Sequence, residues 1–435
     1  MRMISIKTAL PFLQRLKITF RALRHRNYRL FFSGQTVSLI GTWMQQVAIG
    51  WLVYRLTNSA LLLGIVGFAS QIPIFLLSPI AGVIADRWNR HHLLITTQVL
   101  AMVQAFLLSA AVLTKNVTVW HIILLGVFLG MINAFDAPIR QSFVVDLVAN
   151  KEDLGNAIAL NSLMVNGTRM IGPALAGVLI AAVGEGFCFL LNGLSYFFVI
   201  GALLAMKVNI TKKEKPATQV LQRLKEGFVY AFGFVPIRYI LLLLAFSSLL
   251  GFPYIVLMPV FAKDLLHGGP NTLGFLMSSS GIGALIGALY LASRKTVYGL
   301  GRLIAKAVTV LGLALIAFSF SRILLLSSAM LLLVGFGMMT QIAASNTILQ
   351  TIVPDDKRGR LMSFYAVAFM GMTPFGSLLI GSVAHRIGAP YAVMIGGLCC
   401  LCMAFLFHRK LPDMRKLVYP IYTTMGIIPS PSLKK

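Results

Sequence analysis

The chain has 435 residues, of which 58% are hydrophobic and 11% charged, with a mean hydropathy of +0.84. A soluble chain is about one-quarter charged, so these values exclude a soluble globular enzyme and a disordered chain alike. Lys and Arg number 38 against 12 Asp and Glu, a formal net charge of +26, and that excess must be located along the chain before it is interpreted.

Residues 1–30 are basic. Phe12, Leu16, Phe20 and Leu23 recur at helical spacing among Arg15, Lys17, Arg21 and Arg24, which predicts a short interfacial helix or a topology-setting tail. Pro11, Gln14, Arg15 and Lys17 interrupt the apolar residues, so this is not a signal peptide. Twelve apolar stretches follow, each long enough to cross a bilayer as a helix. They are 31–54, 61–85, 93–113, 119–137, 157–182 and 187–206, then 239–261, 272–291, 303–320, 323–344, 362–384 and 391–407. Helices are expected because each satisfies its own backbone in lipid.

The longest interruption, 207–238, divides the chain into six-span halves at 31–206 and 239–407. Leu221, Leu224 and Phe228 predict an amphipathic helix within it. A basic tail occupies 408–435. With both termini on one side, 32 of the 38 basic residues fall in or beside segments on that side. Arg55, Lys115, Lys263, Arg322 and Arg386 fall on the other, and Arg169 lies within a span. The asymmetry predicts a bacterial inner-membrane protein with cytoplasmic termini. The basic excess therefore reports topology and contact with anionic lipid, not nucleic acid. Cys188, Cys399, Cys400 and Cys402 read as apolar core residues. Neither a metal nor a cofactor is implied.

The halves repeat weakly. Ser59-Ala60-Leu61-Leu62-Leu63-Gly64 matches Gly269-Pro270-Asn271-Thr272-Leu273-Gly274, and Arg140–Val148 matches Ser345–Val353. Parallel six-helix repeats that rock about a midplane site are a recurrent transporter design.

The run Gly82-Val83-Ile84-Ala85-Asp86-Arg87-Trp88-Asn89-Arg90-His91-His92 joins spans two and three. It resembles the signature of the major facilitator superfamily, G-x-x-x-D-R-x-G-R-[RK], with Asn89 in the place of the last glycine. The stretches Asp136–Leu147, Asn156–Ser162, Trp51–Tyr54 and Val353–Ser363 resemble its enterobactin-exporter and macrolide-efflux branch. The resemblance implies an all-α integral membrane protein, twelve transmembrane helices in two pseudo-symmetric halves. It also implies a charge cluster that locks the cytoplasmic side. Gly82, Asp86, Arg87 and Arg90 carry the motif, Asp136 is the expected third member, and Arg358 or Arg360 the expected partner across the halves. Ser293-Arg294-Lys295 stands in the matching place without an acid. The lock is therefore expected on one half only.

In span five, Gly172-Pro173-Ala174-Leu175-Ala176-Gly177 resembles the antiporter motif of exporting facilitators. Ser162, Asn166, Arg169 and Pro173 share one helical face. Arg169 sits roughly 20 Å along the span at 1.5 Å per residue, a depth at which charge by default marks a pathway. It reads as a contact for an anionic or oxygen-rich substrate or for a proton-coupling carboxylate, or as a structural donor to nearby carbonyls. The resemblance places cavity-lining residues on spans one, four, seven and ten. The candidates are Trp43, Gln45, Gln46, Asn133, Phe252, Tyr254, Met338 and Gln341, with Asn166 and Arg169; core packing is the alternative for each.

There is no G-x-x-x-x-G-K-[ST] run, so active transport must draw on a gradient. Proton antiport is the family expectation, with Asp86, Asp136, His121 and His385 as candidate carriers. Asp136 alternatively pairs with Arg140, one turn on, or with Arg90. The expected function is export of a small amphipathic siderophore or drug by a monomer working through alternating access. A lipid translocator of the same fold is the first alternative, and a non-transporting membrane sensor the second.

Overall fold

The computed structural model describes residues 20–87, 89–148, 151–206, 229–294 and 296–428; within them, the side chains of 78–87, 145, 151–152 and 355–356 lie outside the description. The first half contains α1 (Arg26–Thr57), α2 (Ala60–Arg87), α3 (Arg90–Leu113), α4 (Val119–Asp146), α5 (Lys151–Val183) and α6 (Glu185–Leu204). The second contains α7 (Val235–Leu265), α8 (Pro270–Ala292), α9 (Leu300–Phe320) and α10 (Leu324–Ile352). It ends with α11 (Asp355–Ala366, continued by Thr373–Ile387) and α12 (Ala389–Thr424). No strand occurs among the described residues.

Eleven of these helices are long and apolar enough to cross a membrane. The twelfth is α1, whose polar residues dilute its apolarity. Those residues face inward: Gln35, Ser38 and Gln45 are buried. The hydroxyls of Thr36 and Thr42 donate to the carbonyls of Phe32 and Ser38 at 2.6 and 2.9 Å. The helix thus meets the demand that polar groups in lipid be satisfied internally. Outward faces carry exposed apolar side chains such as Trp120, Leu325, Phe198 and Val178, the pattern of a lipid-facing belt.

The repeat is visible in single residues. Gly184 alone joins α5 to α6, and Gly388 alone joins α11 to α12, with φ of +87° and +90°. L-residues rarely adopt this backbone, so glycine is required at both joints. The halves meet along two related seams, α5 on α8 and α2 on α11. At the first, a β-carbon on Gly274 would lie 2.5 Å from the Pro173 carbonyl, and one on Gly177 2.9 Å from the Pro270 carbonyl. At the second, Gly64 meets Ser377 and Gly381 at 2.7 and 3.0 Å on the same measure. Small residues let the backbones touch, which is how helices associate where lipid is as apolar as the interface.

Two helices are irregular. α7 passes through a wide turn at Ser247–Gly251, a tight one at Phe252–Leu257 and a second wide turn at Phe261–Leu265. Pro253 and Pro259 remove backbone donors along it. α11 has one wide turn, Val367–Gly371.

Beyond its expected span, α12 continues as helix to Thr424. Leu411, Met414, Val418 and Tyr422 recur at helical spacing and are all buried, so this stretch packs on its own half. At the other end, Arg21–Arg24 form one tight helical turn. The rest of the expected interfacial helix, and the linker helix of Leu221, Leu224 and Phe228, lie outside the described residues.

The α5–α8 seam has no room at Gly281, where a β-carbon would meet the Arg169 carbonyl and Met170 backbone at 2.8–3.0 Å. Overpacking costs about 1–3 kcal/mol. Gly281→Leu is expected to lower the melting temperature of the purified protein by several degrees. Gly167→Ala, with nothing within 4 Å of the new β-carbon, is expected to leave it unchanged.

Candidate functional site

Four of the residues singled out in the sequence converge where the halves meet. Arg169 lies near the middle of α5 and is half-buried. Its guanidinium carbon stands 5.6 Å from the centre of the Trp43 ring, within cation–π range. Its Nη2 lies 4.0 Å from Met338 Sδ on α10. Tyr254 of α7 is close enough to interact electrostatically and shares a 2.7 Å hydrogen bond with Ser280 of α8. Among the described residues, no carboxylate pairs with Arg169.

The antiporter-like motif explains this arrangement. A β-carbon at Gly172 would lie 2.4 Å from Trp43 Cβ, so glycine brings α5 against α1 and sets Trp43 beside Arg169. Pro173 and Gly177 form the α8 seam. Ser278, also on α8, donates to the Met170 carbonyl at 2.9 Å. Asn166 is buried and donates to Ser162 O at 2.8 Å, so it is tied to its own helix.

Other cavity candidates lie within single halves. Gln45 Nε2 donates to Gln104 at 2.9 Å, and Asn192 donates to Gln45 Oε1 at 2.8 Å. This network ties α1, α3 and α6 together. Gln341, fully buried, donates to Ser247 Oγ at 2.9 Å within the second half. Phe252 packs edge-on against Phe369. Gln46 is exposed and Asn133 half-buried.

At the end of the bundle bearing the α1–α2 and α7–α8 loops, a polar clasp crosses the halves. The Tyr54 hydroxyl of α1 donates to Asp264 of α7. Lys263 Nζ donates to Asn58 Oδ1 at 2.7 Å and lies 5.5 Å from the centre of the Tyr54 ring. Beside it, Arg55 Nε and Nη2 reach the two oxygens of buried Glu185 at 2.7 and 3.3 Å. The sequence reading missed this clasp, having ended the first span at Tyr54 and placed Arg55, Glu185, Lys263 and Asp264 in outside loops. The available signal was a Tyr-Arg pair and a Lys-Asp pair at the ends of spans related by the repeat.

The opposite end holds the motif turn. Gly82, Asp86 and Arg87 fall in the last turns of α2, and their side chains lie outside the description. Asn89 has φ −67° and ψ 110°, and its Oδ1 accepts from the His91 N–H at 3.0 Å. The backbone there needs no glycine, and the substituted residue caps α3. His91 Nε2 bonds the Leu203 carbonyl at 2.8 Å and its ring stacks on Phe143. Arg90 Nη1 pairs with Asp146 at 2.9 Å.

Asp136, expected in this cluster, is engaged elsewhere. It accepts from Thr97 and Gln98 of α3 at 2.9 and 2.6 Å and pairs with Arg140 at 3.1 Å. It faces α3, roughly 15 Å of helix from Asp146, and makes the one-turn ion pair that was its alternative reading. Arg358 and Arg360 stand in the first turns of α11. His121 caps α4, its Nδ1 accepting from the Thr118 N–H at 3.2 Å. His385 is exposed near the end of α11. All six carboxylates with described side chains hold a basic or hydroxyl partner: Asp136, Asp146, Asp153, Glu185, Asp264 and Asp413.

A twelve-helix bundle in two repeated halves, joined at two small-residue seams around a mid-span cation, is a transporter of the major facilitator superfamily. Within it the chain belongs to the family described as transmembrane secretion effector, whose model matches residues 17–421. The staphyloferrin A transporter of Staphylococcus aureus is 29% identical over 393 residues, covering 88% of this chain and 96% of that one. Macrolide efflux protein A of Streptococcus pyogenes is 24% identical over 412 residues, covering 91% and 99%. A solved POT family transporter in complex with 5-aminolevulinic acid has the same fold. Its TM-score is 0.70 at 11% identity, covering 89% of this chain and 96% of that one. The chain is thus a multi-pass membrane transporter, not an enzyme.

If the clasp holds its end shut, weakening it must let the halves part there. Spin labels at Thr57→Cys and His267→Cys, in a background lacking the native cysteines, report that separation. The double change Tyr54→Phe, Asp264→Asn is expected to shift the distance distribution outward. An unchanged distribution would assign closure to the glycine seams alone.

Proposed function

We propose that this protein exports a small, anionic, oxygen-rich molecule of the siderophore kind from the cytoplasm by alternating access, in exchange for protons. Arg169 carries the substrate class. Its guanidinium is permanently charged and offers five donors, yet among the described residues it meets a ring and a thioether and no acid. A cation held at that depth without an anionic partner is completed by an anionic ligand, and a cationic drug would be repelled. Trp43, Tyr254 and Met338 supply apolar walls against which such a ligand can pack.

The direction rests on the family, whose description is secretion, and on the relatives named for a siderophore and for macrolide efflux. The orientation rests on the basic residues, most of which fall on the side of the termini. In that orientation the Tyr54–Asp264 clasp is the outer gate and the turn of Asp86 and Arg90 the inner one. Asp136, held by three donors, is read as a structural anion of the first half. Proton exchange is the family's mode and fits a chain without a nucleotide-binding run.

Inverted membrane vesicles with an imposed proton gradient test this reading. Uptake of a labelled carboxylate siderophore is expected to follow the gradient and to fall about tenfold or more in Arg169→Ala, the scale of one lost charge-assisted hydrogen bond. Arg169→Lys is expected to retain part of it, and Asp86→Asn to abolish it. Gradient-driven uptake at the wild-type rate in Arg169→Ala would overturn the substrate class.

Asp136→Asn separates the two roles of that residue. It keeps an acceptor for Thr97 and Gln98 and removes the partner of Arg140. The expected result is a lower melting temperature with gradient-driven uptake retained. Loss of proton-driven uptake with exchange of unlabelled for labelled substrate intact would instead make Asp136 the proton carrier.

A further inference from the structure

The continuation of α12 closes a cavity that Arg169 does not line. It lies at the end of the bundle that holds the termini, between the ends of α7, α9, α10 and α12, and measures about 110 Å³. Ile240, Ile348, Met414 and Val418 form apolar walls. Two of the lining residues are cations: Arg302, exposed in the first turn of α9, and Arg415, half-buried on α12. No acidic residue lines the cavity.

Several neighbouring cations of this half are occupied, whereas Lys306 and Lys416 are exposed and do not line the cavity. Arg238 lies 5.5 Å from the Tyr239 ring centre, Lys357 4.6 Å from that of Tyr230 and Arg409 4.8 Å from that of Phe405. Lys410 pairs with Asp413. Arg302 and Arg415 hold no hydrogen bond or ion pair among the described residues. An apolar pocket with two unengaged guanidinium groups matches an anionic amphiphile: an alkyl segment inside and a phosphate on the arginines. The volume is well below the roughly 300–1,000 Å³ of a site that encloses a whole small molecule. It suits a few methylenes of a chain whose remainder stays in the bilayer.

We propose that this cavity binds an anionic phospholipid of the adjacent leaflet, its phosphate on Arg302 and Arg415 and the first part of one acyl chain among Ile240, Ile348 and Val418. The contact would pin the α12 continuation, which packs through Leu411, Met414, Val418 and Tyr422, onto α7 and α9.

The test uses the full chain in neutral detergent, followed by thermal unfolding as lipid is added. Phosphatidylglycerol is expected to raise the melting temperature saturably, whereas phosphatidylcholine and inorganic phosphate leave it in place. The double variant Arg302→Gln, Arg415→Gln is expected to match wild type without lipid and to need about tenfold or more phosphatidylglycerol for the same shift. An equal response in the variant, or an equal shift with phosphatidylcholine, would overturn the proposal. A shift with inorganic phosphate alone would show a free-anion site and overturn the lipid assignment. If the variant is itself less stable, photo-crosslinking of wild type with a diazirine-bearing phosphatidylglycerol decides. Labelling of residues 411–422 supports the site, and labelling confined to other helices refutes it.

Discussion

A polar group in a hydrocarbon core has no water to bond with, and the organisation of this chain follows from where its few polar groups find partners. Gln45, Gln104 and Asn192 satisfy one another across three helices of the first half. Asp136 takes donors from Thr97, Gln98 and Arg140. Gln341 reaches Ser247 in the second half. Each of these networks closes within one half, which gives each half its own polar core. Between the halves, near mid-depth, the contacts are of another kind: glycine against backbone, Arg169 against the Met338 sulfur, and one hydrogen bond from Ser278 to the Met170 carbonyl.

The seams and the clasp divide the work of closure. Backbone-to-backbone contact at Gly177–Gly274 and Gly64–Gly381 is not itself directional, and the Ser278 hydrogen bond to the Met170 carbonyl adds one directional bond to the first seam. The clasp of Tyr54 with Asp264 and Lys263 with Asn58 is directional and partly exposed. Exposed polar contacts are individually weak, as the proposed outer gate would require. The irregular turns of α7 include the clasp, since Lys263 and Asp264 lie in the second wide turn, and the tight turn holds Tyr254. They give that helix carbonyls outside the regular ladder and a place to bend.

Much of this was legible in the sequence. Helix number, the two halves and the depth of Arg169 followed from apolar length and the placement of charge. The small residues of the fifth span pointed to close packing, and the structure supplies its partners in Trp43 and Gly274. Two kinds of feature were not legible. One was which way a polar side chain faces: Gln45 and Gln341 sit on cavity-lining spans yet turn into their own halves, because a one-residue rotation on a helix decides between cavity and core. The other was pairing over long sequence separation. Tyr54 read as the end of a span and Asp264 as a loop residue until the fold set them together, and Leu411–Tyr422 read as tail because proline and charge interrupt the apolar run. Asn89 shows the limit of a motif. The backbone at that turn is open to any residue, and what matters is a side chain able to cap α3.

Arg169 joins these observations into a mechanism. Its side chain faces α1 and α10, while its own carbonyl abuts Gly281 on α8 across the seam. Under the proposed function, that one residue meets ligand through its guanidinium and the neighbouring half through its backbone. A bound anion would neutralise a charge that otherwise leans on the Trp43 ring and Met338. Release of that interaction would change what holds α1 to α5 at the point where α5 touches α8. A ligand shifts a conformational equilibrium only by its differential affinity for the two states. On the proposed function, a cation shared between both halves is a group whose partners would differ between them.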